Sequence, residues 1–177
     1  MLEIIKKFVK TESSSFRLNK EVFDDFKRHA KDQGLTTNSM INKIMKEYME
    51  WGSKAPAIQV IPYPTKIIME LLKNHTEEKI RKIGRDQAKE SFSENMLLLK
   101  NEETVEAFLE FVKNWCDASG FPYSSKEKDG TINFTIRHNH GNLFSMLMDE
   151  IIKTDVEILT KKRAETKMMT NSVSFWI

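Results

Sequence analysis

The sequence predicts an α+β protein in two parts, in which a small strand-helix-helix module precedes a larger α+β domain with antiparallel strands. Three observations carry this prediction. Residues 13–18 end in an alternation of polar and apolar side chains, which is the period of a strand. Gly34 separates two stretches that have the apolar spacing of helices. Asp129 and Gly130 stand between two alternating segments, as they do in a tight β-hairpin.

Four segments are expected along the chain. Gly52 to Pro56 interrupts the apolar pattern with glycine, serine and proline, which is typical of a linker. The expected segments are therefore a leader over 1–12, the strand-helix-helix module over 13–52, a linker over 53–57 and the C-terminal domain over 58–177.

The strand of the N-terminal module is predicted at residues 13–18. Alternation would place Phe16 and Leu18 on one side of the strand, and Ser15 and Arg17 on the other. A strand this short cannot bury both faces by itself, and two helices of about fourteen residues cannot close a core of that size. The simple solution is a second copy of the chain, so the module is predicted to be an obligate dimer.

The two helices of this module have recognisable ends. Asn19 is a favoured N-cap for the first helix, and Gly34 is a suitable terminator. Thr36 or Thr37 can cap the second helix. The second helix carries a broad apolar stripe, made of Met40, Ile41, Ile44, Met45, Tyr48 and Met49.

The C-terminal domain reads as helices followed by antiparallel strands. The helix predicted over 103–119 is strongly amphipathic and ends at Gly120. The other predicted elements are a strand at 58–62, helices at 65–73 and 77–99 with a break near 91–95, a hairpin of 121–126 and 131–138, a helix at 141–154, and strands at 156–163 and 172–177.

Composition limits the function classes. The 177 residues are 40% hydrophobic and 31% charged, with a net charge of +2, which is ordinary for a soluble globular protein. Residues 1–54 hold 11 Lys/Arg against 8 Asp/Glu, so the basic surplus of three lies in the N-terminal third. A single cysteine, Cys116, excludes an intramolecular disulfide. No apolar run is long enough to span a membrane, and a cytoplasmic location is expected.

The N-terminal module resembles the ribbon-helix-helix family of repressors, of the Arc and CopG type. The resemblance rests on Ser-Phe-Arg-Leu-Asn-Lys-Glu-Val-Phe-Asp-Asp-Phe, at residues 15–26, and on the Gly-Leu-Thr-Thr-Asn-Ser turn at residues 34–39. It covers about 40 residues without a gap. The resemblance implies a dimeric ribbon-helix-helix fold and sequence-specific binding to double-stranded DNA, most simply as a transcriptional repressor. The assembly would be a homodimer or a higher even oligomer.

The resemblance also implies roles for individual residues. In the family, the paired strands enter the major groove, so Ser13, Ser15 and Arg17 would contact bases, with Arg17 as the one strong reader of guanine. Phosphate contacts would come from Thr36, Thr37 and Asn38 at the start of the second helix, and from Lys20 beside the ribbon. The leader lysines Lys6, Lys7 and Lys10 could add to them.

The C-terminal region resembles uncharacterised domains attached to archaeal ribbon-helix-helix proteins. The resemblance lies in Thr-Ile-Arg-His-Asn-His-Gly-Asn-Leu-Phe-Ser at 135–145 and in Asn-Ser-Val-Ser-Phe-Trp-Ile at 171–177. It implies a domain that senses a small-molecule effector or assembles oligomers. The order of elements is also loosely similar to a small-molecule-sensing fold related to 4-vinyl reductases.

Two alternatives to a DNA-binding repressor are open. The N-terminal module could be an antitoxin-like protein-interaction module without specific DNA binding. The protein could also be a metal-responsive regulator, because His138 and His140 at positions i and i+2 of a strand point to one side. A closed metal site needs three or four ligands, and only these two are adjacent, with Cys116 and His75 as distant candidates. No metal or other cofactor is therefore expected.

Catalysis has little support in the sequence. There is no Gly-x-Ser-x-Gly, phosphate loop or His-Glu-x-x-His motif. Asp149 and Glu150 are predicted to lie on a solvated helix face, and Cys116 is predicted to be a buried structural thiol. The protein is therefore expected not to be an enzyme.

Overall fold

The computed structural model describes residues 10–60 and 62–177, so most of the predicted leader, including Lys6 and Lys7, lies outside the described residues. The chain divides into two compact units, Met1–Ile44 and Met45–Ile177. Over the described residues the protein is rich in helix and has one four-stranded antiparallel sheet near the C-terminus. No described helix is both long enough and apolar enough to cross a lipid bilayer.

The N-terminal unit is helical. Helix α1 covers Lys20–Asp32, and its N-cap Asn19 accepts hydrogen bonds at Oδ1 from the backbone N–H groups of Glu21 (2.9 Å) and Val22 (3.3 Å). Gly34 follows the helix with a φ of 68°, the left-handed conformation that glycine adopts at helix ends. Helix α2 then covers Thr37–Glu47.

The predicted ribbon-helix-helix fold class is wrong, because residues 10–19 form neither strand nor helix. A β-strand is held by hydrogen bonds to a neighbouring strand, and within the described chain no strand lies beside residues 13–18. The alternation of Ser15, Phe16, Arg17 and Leu18 is therefore not sufficient to make a strand in this chain. The prediction of two helices separated by the Gly34 turn does agree with the structure.

The C-terminal unit contains the other elements. After α2, a π-helical turn covers Tyr48–Gly52. The helices that follow are α3 (Thr65–Lys73), α4 (Glu77–Lys100), α5 (Val105–Ser119) and α6 (Asn142–Thr160), and the strands are β1 (Tyr123–Lys128), β2 (Thr131–Arg137), β3 (Glu165–Met169) and β4 (Ser172–Trp176).

The sheet is antiparallel throughout, with strand order β1-β2-β4-β3. The β1–β2 hairpin turns at Asp129 and Gly130, whose φ values of 52° and 75° fit the tight turn that the Asp-Gly pair predicts. Phe134 on β2 pairs with Phe175 on β4, and both side chains are fully buried. They belong to a core that also takes buried side chains from α4, α5 and α6, so these helices cover that face of the sheet.

Several predicted boundaries in the C-terminal unit are corrected by the structure. The described residues of the expected strand at 58–62 form turns or irregular chain, and Ile61 itself is outside the described residues. The expected strand at 156–163 is instead the last turns of α6 and the loop after it. The expected break near 91–95 is absent, because α4 is continuous. Strand β4 pairs with β2 on one side and with β3 on the other, and the sequence pattern did not reveal β3.

Candidate functional site

The predicted base-contact residues lie in the irregular segment before α1. Ser13, Ser15 and Arg17 are all exposed. Arg17 makes no hydrogen bond or ion pair with any described residue, so its guanidinium is available to an external anion. The structure therefore does not place the three residues on one face of a strand.

Lys20, a predicted phosphate contact, is engaged with a neighbour on α1. Its Nζ lies 2.7 Å from a carboxylate oxygen of Asp24, and Lys27 approaches the other oxygen at 3.3 Å. The hydrogen bonds from Lys20 and Lys27 lower the pKa of Asp24. Lys20 would have to leave this exposed ion pair before it could bind a phosphate, which is a small cost at the surface.

The start of α2 exposes backbone N–H groups, as the sequence predicts. Thr36 precedes the helix, and its Oγ1 accepts a hydrogen bond from the N–H of Ser39 at 3.1 Å. The N–H groups of Thr37 and Asn38 belong to the first helical turn, where no carbonyl of the helix can accept from them. Such groups favour an anion because the helix dipole is positive at this end.

The N-terminal unit leaves large apolar side chains uncovered. Only Ala30 of α1 and Met40 of α2 are buried there. Phe16, Leu18 and Val22 are 69%, 58% and 67% exposed. Phe16 and Leu18 flank Arg17 in the sequence, and Val22 lies on the first turn of α1.

The C-terminal unit contains a buried polar cluster centred on His138, just after β2. Nδ1 of His138 accepts a hydrogen bond from the backbone N–H of His140 (3.1 Å), so the neutral ring carries its proton on Nε2. Nε2 lies 2.8 Å from Oγ of Ser145 on α6 and donates to it. The Ser145 hydroxyl in turn donates to the carbonyl oxygen of Thr170 (3.0 Å) in the β3–β4 turn. These bonds fix the start of α6 against the sheet.

The polarity of this cluster is the reverse of that needed for nucleophilic catalysis. A general base must accept the serine proton, whereas His138 donates to Ser145. Burial, with a smaller effect of His140, lowers the pKa of His138 to about 4, so the ring is neutral at pH 7. Ser145 is also fully buried and out of reach of a substrate.

His138 and His140 are close, as the sequence predicts, but they are poorly arranged for a metal. Their rings stack with centroids 5.8 Å apart, and both nitrogens of His138 take part in hydrogen bonds within the protein. The described residues contain no group of three or more His, Cys, Asp or Glu side chains placed to hold a metal ion. Cys116 is a buried thiol whose pKa is raised to about 12, chiefly by burial.

A charged cluster between α4 and α6 was missed by the sequence analysis. Arg81 and Arg85 each donate from Nη1 to one oxygen of Glu150, at 2.8 Å and 2.7 Å. Burial opposes ionisation of Glu150, but the two arginine hydrogen bonds outweigh it and lower the pKa of the carboxyl. The prediction that Asp149 and Glu150 lie on a solvated face is therefore wrong, since both are buried.

A groove of about 830 Å³ lies in the C-terminal unit between α3 and the N-terminal end of α6. Lys66 and Lys73 contribute from α3, and His140 and Asn142 contribute from the other side. No sequence motif marked this groove, because its two walls come from positions about seventy residues apart.

Comparison with known proteins adds no relative. No protein-family model matches the chain, and no curated protein and no solved structure shows significant similarity to it. The resemblance of residues 15–39 to ribbon-helix-helix repressors therefore stays a prediction.

Proposed function

We propose that this protein binds double-stranded DNA as a homodimer and regulates transcription, most simply by occluding a promoter. The observation that carries the proposal is the exposure of Phe16, Leu18 and Val22 close in the sequence to Arg17, which has no ion-pair partner among the described residues. Exposed apolar side chains favour association of two chains, and the guanidinium between Phe16 and Leu18 would attract an anion to the assembly.

The apolar surface favours a second copy of the chain as its cover. Full burial of one such side chain stabilises the assembly by about 1.5–3 kcal/mol. A symmetric contact would bury the three side chains of both protomers. Among the described residues of the N-terminal unit, Ala30 and Met40 are the buried apolar side chains, so this unit gains more from such a contact than a unit with a full core.

Symmetric association would present the DNA-contact groups in duplicate. Arg17 would supply the base contact, and the free N–H groups of Thr37 and Asn38 would each favour a phosphate. Lys20 would contribute less, because Asp24 competes for its charge. The weak contacts of Ser13 and Ser15 would leave most of the discrimination to Arg17. Twofold symmetry predicts a palindromic operator with short half-sites.

A mobility-shift titration on DNA from upstream of the gene tests this proposal. Arg17→Ala should reduce the preference for that duplex over an unrelated one by about 5- to 150-fold, which is the worth of one bidentate guanine contact. Arg28→Ala is the matched control, because Arg28 is exposed on α1 and already paired with Asp25. Absence of any complex at low salt would refute DNA binding.

The alternative of a protein-interaction module rests on the same exposed apolar side chains. It predicts a dimer or heteromer whose affinity for DNA is negligible or independent of Arg17. The salt dependence of DNA binding distinguishes the two proposals. Phosphate contacts release counterions, so specific DNA binding should weaken steeply as the salt concentration rises.

A regulator acting on chromosomal DNA would work in the cytoplasm, and its effector would bind in the C-terminal unit. The groove between α3 and α6 is the candidate position, since its volume of about 830 Å³ lies in the range of small-molecule sites. Lys66 would favour an acidic effector, whereas Lys73 already pairs with Glu70, which also lines the groove. No observation on the described residues favours the metal-responsive alternative over this one.

A further inference from the structure

The sheet of the C-terminal unit has a polar face opposite its core face. Phe134 and Ile136 of β2 point into the core, so the intervening Thr135 points the other way. The hydroxyl of Thr135 lies 2.9 Å from that of Ser174 on β4, which confirms that the alternate residues of the two strands share this face. We call it the open sheet face. The charged and aromatic residues on this face are Lys126, Lys128, Arg137, Glu165, Lys167 and Trp176.

The charge of the open sheet face is strongly unbalanced. Lys126 and Lys128 on β1, Arg137 on β2 and Lys167 on β3 are exposed, and Glu165 is the one acidic side chain in these rows of the sheet. None of the four cations has a carboxylate within ion-pair distance among the described residues. In contrast, Lys73 and Lys82 on the helices of this unit pair with acidic neighbours on their own helices.

The loop before β3 extends this positive charge to the edge of the sheet. Lys161, Lys162 and Arg163 are exposed there and make no ion pair with a described residue. Because like charges repel, these seven cations along the sheet and its edge, which have no ion-pair partner among the described residues, are unfavourable for the isolated protein. A polyanion bound across this region would relieve that repulsion.

Trp176 gives the open sheet face an aromatic side chain as well. It pairs with Asn133 on one side and with Glu165 on the other, and its ring is partly exposed. The neighbouring aromatic residues of the sheet, Tyr123, Phe134 and Phe175, are on the core face and stack on one another. Trp176 is thus an aromatic side chain of this sheet that is open to an external ring.

We propose that the open sheet face binds single-stranded nucleic acid. The unpaired cations contact the phosphates, and Trp176 stacks on one base. Sequence-tolerant single-strand binding combines these two elements, a positive surface along the backbone and an aromatic platform for the bases. A duplex fits this surface less well, because its bases are already stacked on one another and cannot reach Trp176. This surface lies in the C-terminal unit and does not depend on DNA binding by the N-terminal unit.

Fluorescence anisotropy with the full-length protein tests the proposal. The probes are labelled dT12, labelled U12 and a labelled 12-base-pair duplex. The variant Lys126→Gln/Arg137→Gln/Lys167→Gln should weaken binding to the single strands by about tenfold or more at moderate salt, and lower the salt slope by about 2. The matched control is Lys79→Gln/Lys82→Gln/Lys89→Gln, which removes three exposed charges from α4 and should bind like the unsubstituted protein.

Trp176 supplies a second, independent test. Trp176→Ala should weaken single-strand binding by about 5- to 150-fold, the range for loss of one stacked base, whereas Trp176→Phe should retain most of the affinity. Arg17→Ala should leave single-strand binding unchanged, which separates this surface from the N-terminal unit. If Trp176→Ala fails to fold, the charge variants decide the question.

The outcomes are distinct. Preference for U12 over dT12 identifies RNA as the ligand, and equal binding identifies a surface that accepts either strand; both support the proposal. The proposal is overturned if neither single strand binds at low salt, if both triple variants bind equally, or if the duplex binds as tightly as the single strands through the same cations.

Discussion

Nε2 of His138 donates a hydrogen bond to Oγ of Ser145 across 2.8 Å, and this bond joins the end of β2 to the first turns of α6. The serine hydroxyl in turn donates a hydrogen bond to the carbonyl of Thr170, so three separate segments meet at one buried hydroxyl. Each donor in this series of hydrogen bonds has one acceptor. Removal of the Ser145 hydroxyl therefore leaves the buried Nε2–H of His138 without a partner.

Ser145→Ala should therefore destabilise the C-terminal unit. The substitution leaves the buried Nε2–H of His138 without an acceptor and removes the hydrogen bond to the carbonyl of Thr170, which costs about 1–3 kcal/mol. Urea unfolding followed by tryptophan fluorescence measures this loss, because Trp51, Trp115 and Trp176 all lie in the C-terminal unit. Ser125→Ala, at an exposed position on β1, is the control and should change stability by less than about 0.5 kcal/mol. Equal stability of the two variants would show that the cluster is not structural.

His138 should make the C-terminal unit less stable in acid. Burial lowers its pKa from 6.5 to about 4, so between these values the unfolded chain binds a proton that the folded chain does not. The stabilisation is complete above pH 6.5 and is lost as the pH falls towards 4. After allowance for solvent screening, the expected effect is about 1–2 kcal/mol.

The measurement is the unfolding free energy at pH 4.5 and 6.5 for the unsubstituted protein and for His138→Gln. The difference between the two pH values should shift in the variant by the amount that His138 contributes. Other titrating groups are common to both proteins and cancel in the comparison. An identical pH dependence would mean that His138 titrates normally.

Asp155 should have the opposite effect on the alkaline side. The residue is 7% exposed, its Oδ1 has no hydrogen-bond partner among the described residues, and burial raises the pKa of its carboxyl from 3.8 to about 8. Between about pH 4 and 8 the folded protein keeps a proton on Asp155 that the unfolded chain releases. The contribution of Asp155 to the free energy of unfolding is therefore highest below about pH 4 and falls as the pH rises through 8. Asp155→Asn should remove this loss and make the protein more stable than the unsubstituted form by about 2 kcal/mol or more at pH 8. Thermal melting at pH 6.5 and 8 tests it, and a variant that melts lower at pH 8 would contradict the burial argument.

Gly84 should be intolerant of a side chain because α4 and α6 cross closely there. A Cβ atom at this position would lie 2.9 Å from the carbonyl oxygen of Leu147 and 3.0 Å from Cβ of Glu150. Gly84→Ala gains up to about 1 kcal/mol of helix propensity, but the overpacking costs about 1–3 kcal/mol, so a net destabilisation is expected. Lys89→Ala, exposed on the same helix, is the control and should be nearly neutral. A stabilised Gly84→Ala protein in the same unfolding assay would show that the two helices separate at little cost.

Local signals in the sequence predicted much of the C-terminal unit. The Asp129-Gly130 pair and its flanking alternation gave the hairpin, and the apolar stripe ending at Gly120 gave α5. The run from Val156 to Leu159 was assigned to a strand because a short β-branched run is ambiguous between a strand and a buried helix. It lies in α6, whose buried surface also includes Asp149, Glu150 and Asp155, so the helical apolar pattern is obscured.

Other features had no local signal. Strand β3 carries Glu165, Lys167 and Met169 on the open sheet face, so it has few apolar side chains to mark it as a strand. The segment at 13–18 has the alternation of a strand but lacks a neighbouring strand in the described part of the chain. The arginine cluster at Glu150 joins residues more than sixty positions apart, and only the packing of α4 on α6 brings them together. Sequence reasoning thus located elements where the information is local and failed where pairing or helix packing supplies it.

The central claim is that two chains together bind one DNA duplex through the N-terminal unit. Sedimentation velocity of the protein mixed with labelled upstream duplex measures this stoichiometry directly. We expect two chains per duplex, and we expect Val22→Asp, which places a charge in the exposed apolar surface, to abolish both the dimer and the complex. A complex containing one chain, or a Val22→Asp protein that binds the duplex as tightly as the unsubstituted protein, would contradict the claim.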